Sequence, residues 1–199
     1  MGLLTIRPVL VCSMALSIVA GTAAHTFSQA AAAPGGNAPA GIASEYQVKA
    51  AFLYNFGKFV DWPADSFSSP SAAFTLCVVG ADPFGEILDR TVQGKVINGH
   101  PVSALRLTRH DDLRVCHIVY ISPSERKAIE EILDQLRGVS VLTVGETEGL
   151  TERGGMVNFV VEDNRVRFEA NPLAAERSRL RISSKLLALA RVVQTGEHR

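Results

Sequence analysis

The 199-residue chain balances 20 Lys and Arg against 20 Asp and Glu, so its formal net charge is zero. That neutrality argues against nucleic acid or an anionic lipid surface as the main partner, because both select a basic face. No internal repeat is visible, and Arg7 is the only charge before Glu45.

An apolar core from Val9 to Ala20 follows Arg7, then small residues that offer cleavage after Ala24 or as late as Ala33. This is the pattern of a secretory signal. An uncleaved anchor is the alternative: the apolar core is short for a span of ~20 residues, but the uncharged stretch runs on. With Arg7 holding its end in the cytoplasm, both readings place the body in the periplasm. Val11 is too large to precede a lipoprotein cleavage cysteine at Cys12. The expected organisation is a signal at 1–24, a flexible Ala/Gly/Pro-rich leader at 25–44, one domain at 45–195 and a tail at 196–199.

Between Tyr46 and Pro63, Val48, Ala51, Phe52, Asn55 and Phe59 recur at helical spacing and predict the face that docks on the core. Ser44 can cap this helix, and Trp62-Pro63 stops it. Phe74 to Val79 is a continuous apolar run, as in a strand buried on both faces. Gly80 to Gly85 turns the chain, and Pro83 suits the first turn of a helix through Thr91. Asn98-Gly99, inside Lys95 to Leu107, predicts a tight hairpin. Asp111 to Arg114 is a short connection, and His117 to Ile121 is a second buried strand. Ser122-Pro-Ser-Glu125 opens a helix to Arg137, with Ala128, Ile129, Ile132, Leu133 and Leu136 as its stripe. Val139 to Val144 is a third buried strand, followed by a polar turn at Thr147 to Arg153. Met156 to Val161 and Arg165 to Phe168 form a second hairpin around Glu162 to Asn164. Asn171-Pro172 opens a last helix running to about Val193. The alternation predicts an α/β fold: a single domain with a mixed, mostly parallel sheet and helices on both faces.

Gly80 to Gly85 lacks the spacing of a dinucleotide loop and the lysine-hydroxyl pair of a P-loop, so it reads as a structural turn. His110-Asp111-Asp112 reads as a solvated connector. No nucleophile elbow, zincin motif or paired catalytic carboxylate is present, so no catalytic residue, metal or cofactor is assigned. Once Cys12 leaves with the signal, Cys77 and Cys116 remain. A disulfide between them is expected in an oxidising compartment, adding roughly 4 kcal/mol by chain entropy. Two buried thiols, or a metal held at Cys116-His117, are the alternatives. Arg177, Arg179 and Arg181 alternate, which puts at least two guanidinium groups near one surface. They are either an ordinary charged face or a pocket for an anionic ligand or acidic partner. Tyr54, Phe56 and Trp62 lie off the predicted docking stripe, either covered by other elements or forming a partner surface.

The run YQVKAAFLYNFGKFVDWP, from Tyr46 to Pro63, closely resembles the opening of the YfiR-like family of secreted bacterial regulators. CVVGADPFG (Cys77 to Gly85), VCHIVYIS (Val115 to Ser122) and VLTVGE (Val141 to Glu146) resemble it too, as do GGMVNFV (Gly154 to Val160), RVRFEAN (Arg165 to Asn171) and LRISSKLLALARVV (Leu180 to Val193). The blocks stand in the family's order, and Arg181 lies inside the last. The resemblance implies a periplasmic inhibitor, not an enzyme, that binds the sensor domain of an inner-membrane diguanylate cyclase. Cyclic di-GMP, attachment and biofilm formation then fall. It also implies an outer-membrane lipoprotein that captures the repressor, and a homodimer. Some members carry a further cysteine pair near the GGM block; Leu150 to Asn158 has none, so redox control there is not implied. Two rival functions are an accessory or ligand-binding subunit of a periplasmic histidine-kinase sensor and an unrecognised periplasmic enzyme.

Overall fold

The computed structural model describes residues 40–193. The expected signal, most of the leader and the tail lie outside them. The chain opens with helix α1, Ala40–Phe59, so Ser44 lies inside the helix instead of capping it. Ala50, Leu53 and Phe56, spaced by three, are fully buried, and Val60 continues the line four residues on. Of the face predicted to dock, Phe52 packs against Phe56, Phe159 and Phe168 at the core's edge, but Val48 is 42% and Phe59 37% exposed. The correction has a simple cause. Both faces of α1 carry apolar residues, and the one that is buried also carries Lys49, which is held inside by ion pairs.

The helix ends before Trp62-Pro63, where the chain extends into β1, Val60–Asp61. Strand β2, Phe74–Val79, leads to a turn in which Asp82 Oδ1 accepts the Phe84 N–H at 2.8 Å. That side-chain turn holds Pro83 outside the following helix α2, Glu86–Val92. Strands β3, Val96–Ile97, and β4, His100–Leu107, form the predicted hairpin, with Asn98 at φ 50° and Gly99 at φ 89°. After β5, Ile118–Ile121, the Ser122 hydroxyl accepts the Ser124 N–H and opens a 3₁₀ segment that runs into α3, Ile129–Gln135. Strand β6, Leu142–Gly145, precedes the hairpin of β7, Val157–Glu162, and β8, Arg165–Ala170.

The single last helix predicted from Asn171 does not form. It is divided into α4, Pro172–Arg177, β9, Arg181–Ile182, α5, Ser184–Leu187, and β10, Arg191–Val192. Arg179 adopts φ 60°, and the Leu180 N–H turns back to the Ala175 carbonyl at 2.9 Å, which closes α4. Leu180 and Ile182 then enter the core on either side of exposed Arg181, an alternation that belongs to a strand.

Eight strands make one sheet in the order β10-β8-β7-β6-β5-β2-β4-β3, while β1 and β9 pair separately. Only β7 with β8 and β3 with β4 are antiparallel in the large sheet. The domain is therefore α/β with a mixed, mostly parallel sheet. Alternate residues of its centre divide between two cores. Leu76, Val78, Ile118 and Tyr120 join the core of α1 and α2; Cys77, Val79, Val119 and Ile121 join that of α3. On this second face Cys77 of β2 is bonded to Cys116, just ahead of neighbouring β5, with Cα atoms 6.0 Å apart.

Candidate functional site

Open α/β sheets ordinarily bind ligands where strand order reverses, beyond the carboxyl ends of the strands. Here that place lies between β2 and β5, and protein fills it. Ala81 N–H donates to Ser124 Oγ at 2.9 Å, and a Cβ on Gly80, at φ 92°, would meet that oxygen at 2.5 Å.

The chemically unusual cluster lies one strand further on, at Glu146, the residue after β6. Tyr46 from α1 donates its hydroxyl to Glu146 Oε1 at 2.8 Å, and Tyr120 from β5 donates to the same oxygen. The Lys49 ammonium pairs with both Glu146 Oε2 and Glu45. Lys49 is only 1% exposed, and a charge so buried persists only when paired and hydrogen-bonded. It also sits 4.6 Å from the Tyr46 ring centroid, on the electron-rich face. Burial, reinforced by the Glu146 carboxylate, pushes both phenols well above the ordinary tyrosine range, so they remain donors.

Beside this cluster is a cleft of about 460 Å³. It exists because β7 runs on to Glu162 past its last β6 partner, the pair Gly145 and Asn158. Asn158 lines it, is 1% exposed, and has an amide oxygen with no hydrogen-bond partner. Glu169, on the neighbouring strand β8, lines it as well; it pairs with Arg191 and accepts the Thr151 hydroxyl at 3.0 Å.

The model of the YfiR/HmsC-like family matches residues 46–191. The chain belongs to that family. Among solved structures, a conserved domain protein from Vibrio cholerae is similar at 12% identity with a TM-score of 0.51. The match covers 76% of this chain and 59% of that one, less than two thirds of its length, and it shows a shared fold.

In this YfiR/HmsC-like domain the three aromatic candidates have different fates. Phe56 is fully buried and stacks on Phe159 at 5.7 Å, so it is core and not a presented anchor. The line Leu53, Phe56, Val60 is what the predicted stripe displaced. Trp62 is half-buried against Phe74, with its ring nitrogen enclosed and unpaired. Tyr54 is half-buried at the rim of α1, its hydroxyl 3.4 Å from the Val96 carbonyl. The three arginines are exposed and serve different neighbours. Arg177 lines a cleft with Arg137 and Arg153, Arg179 pairs with Asp65 at 2.8 Å, and Arg181 stands opposite Asp61 in the β1–β9 ladder. The sequence reading missed Lys49, Glu146 and the two phenols. The available signal was a lysine flanked by apolar residues in mid-helix, together with a glutamate ending a largely apolar strand.

Among the described residues no helix is long and apolar enough to cross a membrane, and no group of His, Cys, Asp and Glu is arranged to hold a metal.

Proposed function

We propose that this chain is an exported periplasmic repressor that binds the sensor domain of an inner-membrane diguanylate cyclase and holds the enzyme inactive. One observation carries the reading: the family match spans nearly the whole described body. The uncovered apolar line of α1 supplies a surface suited to it. Val48 and Phe59 are exposed on that line with Tyr54 beside it, and aromatic side chains such as Phe59 and Tyr54 are the ones that anchor protein interfaces. Repression follows when the chain binds the cyclase's inactive state better than its active one. Each tenfold difference in affinity biases that equilibrium by about 1.4 kcal/mol.

Residues 1–24 act as the export signal in this reading. Deleting the gene should raise cyclic di-GMP, and restoring the exported form should lower it. A form lacking the residues before Glu45 should fail to complement, because it never reaches the sensor domain. Unchanged cyclic di-GMP after deletion, with the neighbouring cyclases expressed, overturns the proposal.

A further inference from the structure

Strand β4 has one side that no other strand covers for most of its length. Its neighbour β2 pairs with Val102 to Leu107, while on the other side β3 reaches only His100 and Pro101. The backbone groups of successive strand residues point alternately to the two sides. The Leu107 carbonyl accepts the Gly80 N–H at 3.2 Å, toward β2, and the Val102 N–H donates to the Lys95 carbonyl at 2.9 Å, away from it. Ala104 and Arg106 therefore point both N–H and C=O outward, where no strand pairs with them among the described residues. Lys95 on Val102 bounds the open stretch at one end. The turn closed by the Asp111 N–H on the Thr108 carbonyl bounds it at the other. It runs from Ser103 to Leu107, and Leu105 is its centre.

An unpaired edge of this kind is a template for another strand. The symmetry of the stretch selects the occupant. A second copy laid antiparallel about a two-fold axis at Leu105 sets Ala104 against Arg106 of the copy, and Arg106 against its Ala104. Every outward N–H then meets a carbonyl. Leu105 meets its own image at a non-hydrogen-bonded position, where facing side chains are closest. It is 41% exposed in the single chain, a large apolar residue on an open edge. No like charges are opposed, because the Arg106 guanidinium turns back to Asp82 and Asp89 of its own chain. Beside the edge, α2 leaves an open groove of about 490 Å³ at Val102 to Ala104, which gives the copy room to approach.

We propose that the outer edge of β4 is the interface of a symmetric dimer, joining two copies of this chain into one continuous sheet through Leu105. The inference is independent of the cyclase reading, because its test needs only the purified protein. Sedimentation velocity of the exported, processed protein at rising concentration should show a reversible monomer–dimer equilibrium. Leu105→Lys opposes like charges across the axis; it should leave the melting curve nearly in place and weaken association about tenfold or more. Ala104→Pro removes an outward N–H that no strand of its own chain uses, and should act in the same way. Mixing Leu105→Lys with Leu105→Glu should restore a dimer, since opposite charges then face each other on the axis. Val48→Lys, on α1, should dimerise like the native protein. A native protein that stays monomeric overturns the proposal. So does undiminished association in either folded edge variant, or a charge-swapped mixture that remains monomeric.

Discussion

Lys49→Met tests how much of the domain's stability rests on the charge cluster, because methionine keeps the buried stem and removes only the ammonium. The Lys49 side chain is 2% exposed, Glu146 10% and Glu45 30%. The Glu45 arm is close enough to solvent to contribute under ~1 kcal/mol. Breaking the Glu146 arm leaves a carboxylate inside without its cation, a change that ordinarily costs about 3–5 kcal/mol. Glu146 keeps its two phenol donors, which places the loss near the low end, about 3 kcal/mol. For a domain of this size that lowers Tm by about 6–12 °C. Urea unfolding with the disulfide intact should show a lower midpoint at unchanged slope. Glu146→Gln alone should cost about 2 kcal/mol, since it strands the ammonium on Glu45. The double variant should lose less than the sum by at least ~1 kcal/mol. A Lys49→Met protein within ~1 kcal/mol of native, or strict additivity in the cycle, refutes the reasoning.

Thiol labelling of denatured periplasmic protein should find Cys77 and Cys116 blocked, and Cys77→Ser should lower stability by about 2–5 kcal/mol. His117 Nδ1 accepts the Thr75 N–H at 3.1 Å, and burial, with His100 adding to it, pushes the imidazole below its ordinary pKa against the opposing pull of the Ser66 carbonyl. Its contribution is therefore complete above about pH 6.5 and is lost as pH falls through the depressed value. The urea midpoint should drop on acidification, and drop less in His117→Gln. Tyr54→Ala should weaken binding to the cyclase sensor domain while leaving the melting curve nearly in place, with a loss above ~2 kcal/mol marking a hot spot. Full binding by this variant removes Tyr54 from the interface.

The central strands and the two hairpins were legible because their signals are local, whereas the two-residue strands β1, β9 and β10 were not. β2 and β5 are continuous apolar runs, and Asn98-Gly99 specifies its own turn whatever surrounds it. The last helix misread because LRISSKLLALARVV holds apolar residues at spacings that fit a helix. What breaks it is Arg179 in a left-handed conformation and the pairing of Arg181 with Asp61, across more than a hundred residues. The charge cluster was illegible for the same reason. Lys49 and Glu146 are 97 positions apart, and although each stands out among apolar neighbours, their pairing exists only once α1 lies across the end of β6.

That distant contact also answers a question the helix's own composition leaves open. α1 offers Ala50, Leu53 and Phe56 on one face and Val48, Ala51, Phe52 and Phe59 on another, so hydrophobic burial alone does not choose between them. Docking the second face would place Lys49 in water, carry Tyr46 away with it, and leave Glu146 beside Tyr120 alone with no cation. A stranded carboxylate of that kind costs several kcal/mol, enough to exclude the rotated arrangement. The pair thus fixes the rotation of α1, and Val48, Ala51 and Phe59 are left pointing outward while Phe52 packs at the edge of the core. Folding needs little from Val48 or Phe59 in that position, since both are exposed. Their apolar side chains are therefore available to the proposed cyclase partner, and this is why its docking surface is placed on α1 and not on the sheet.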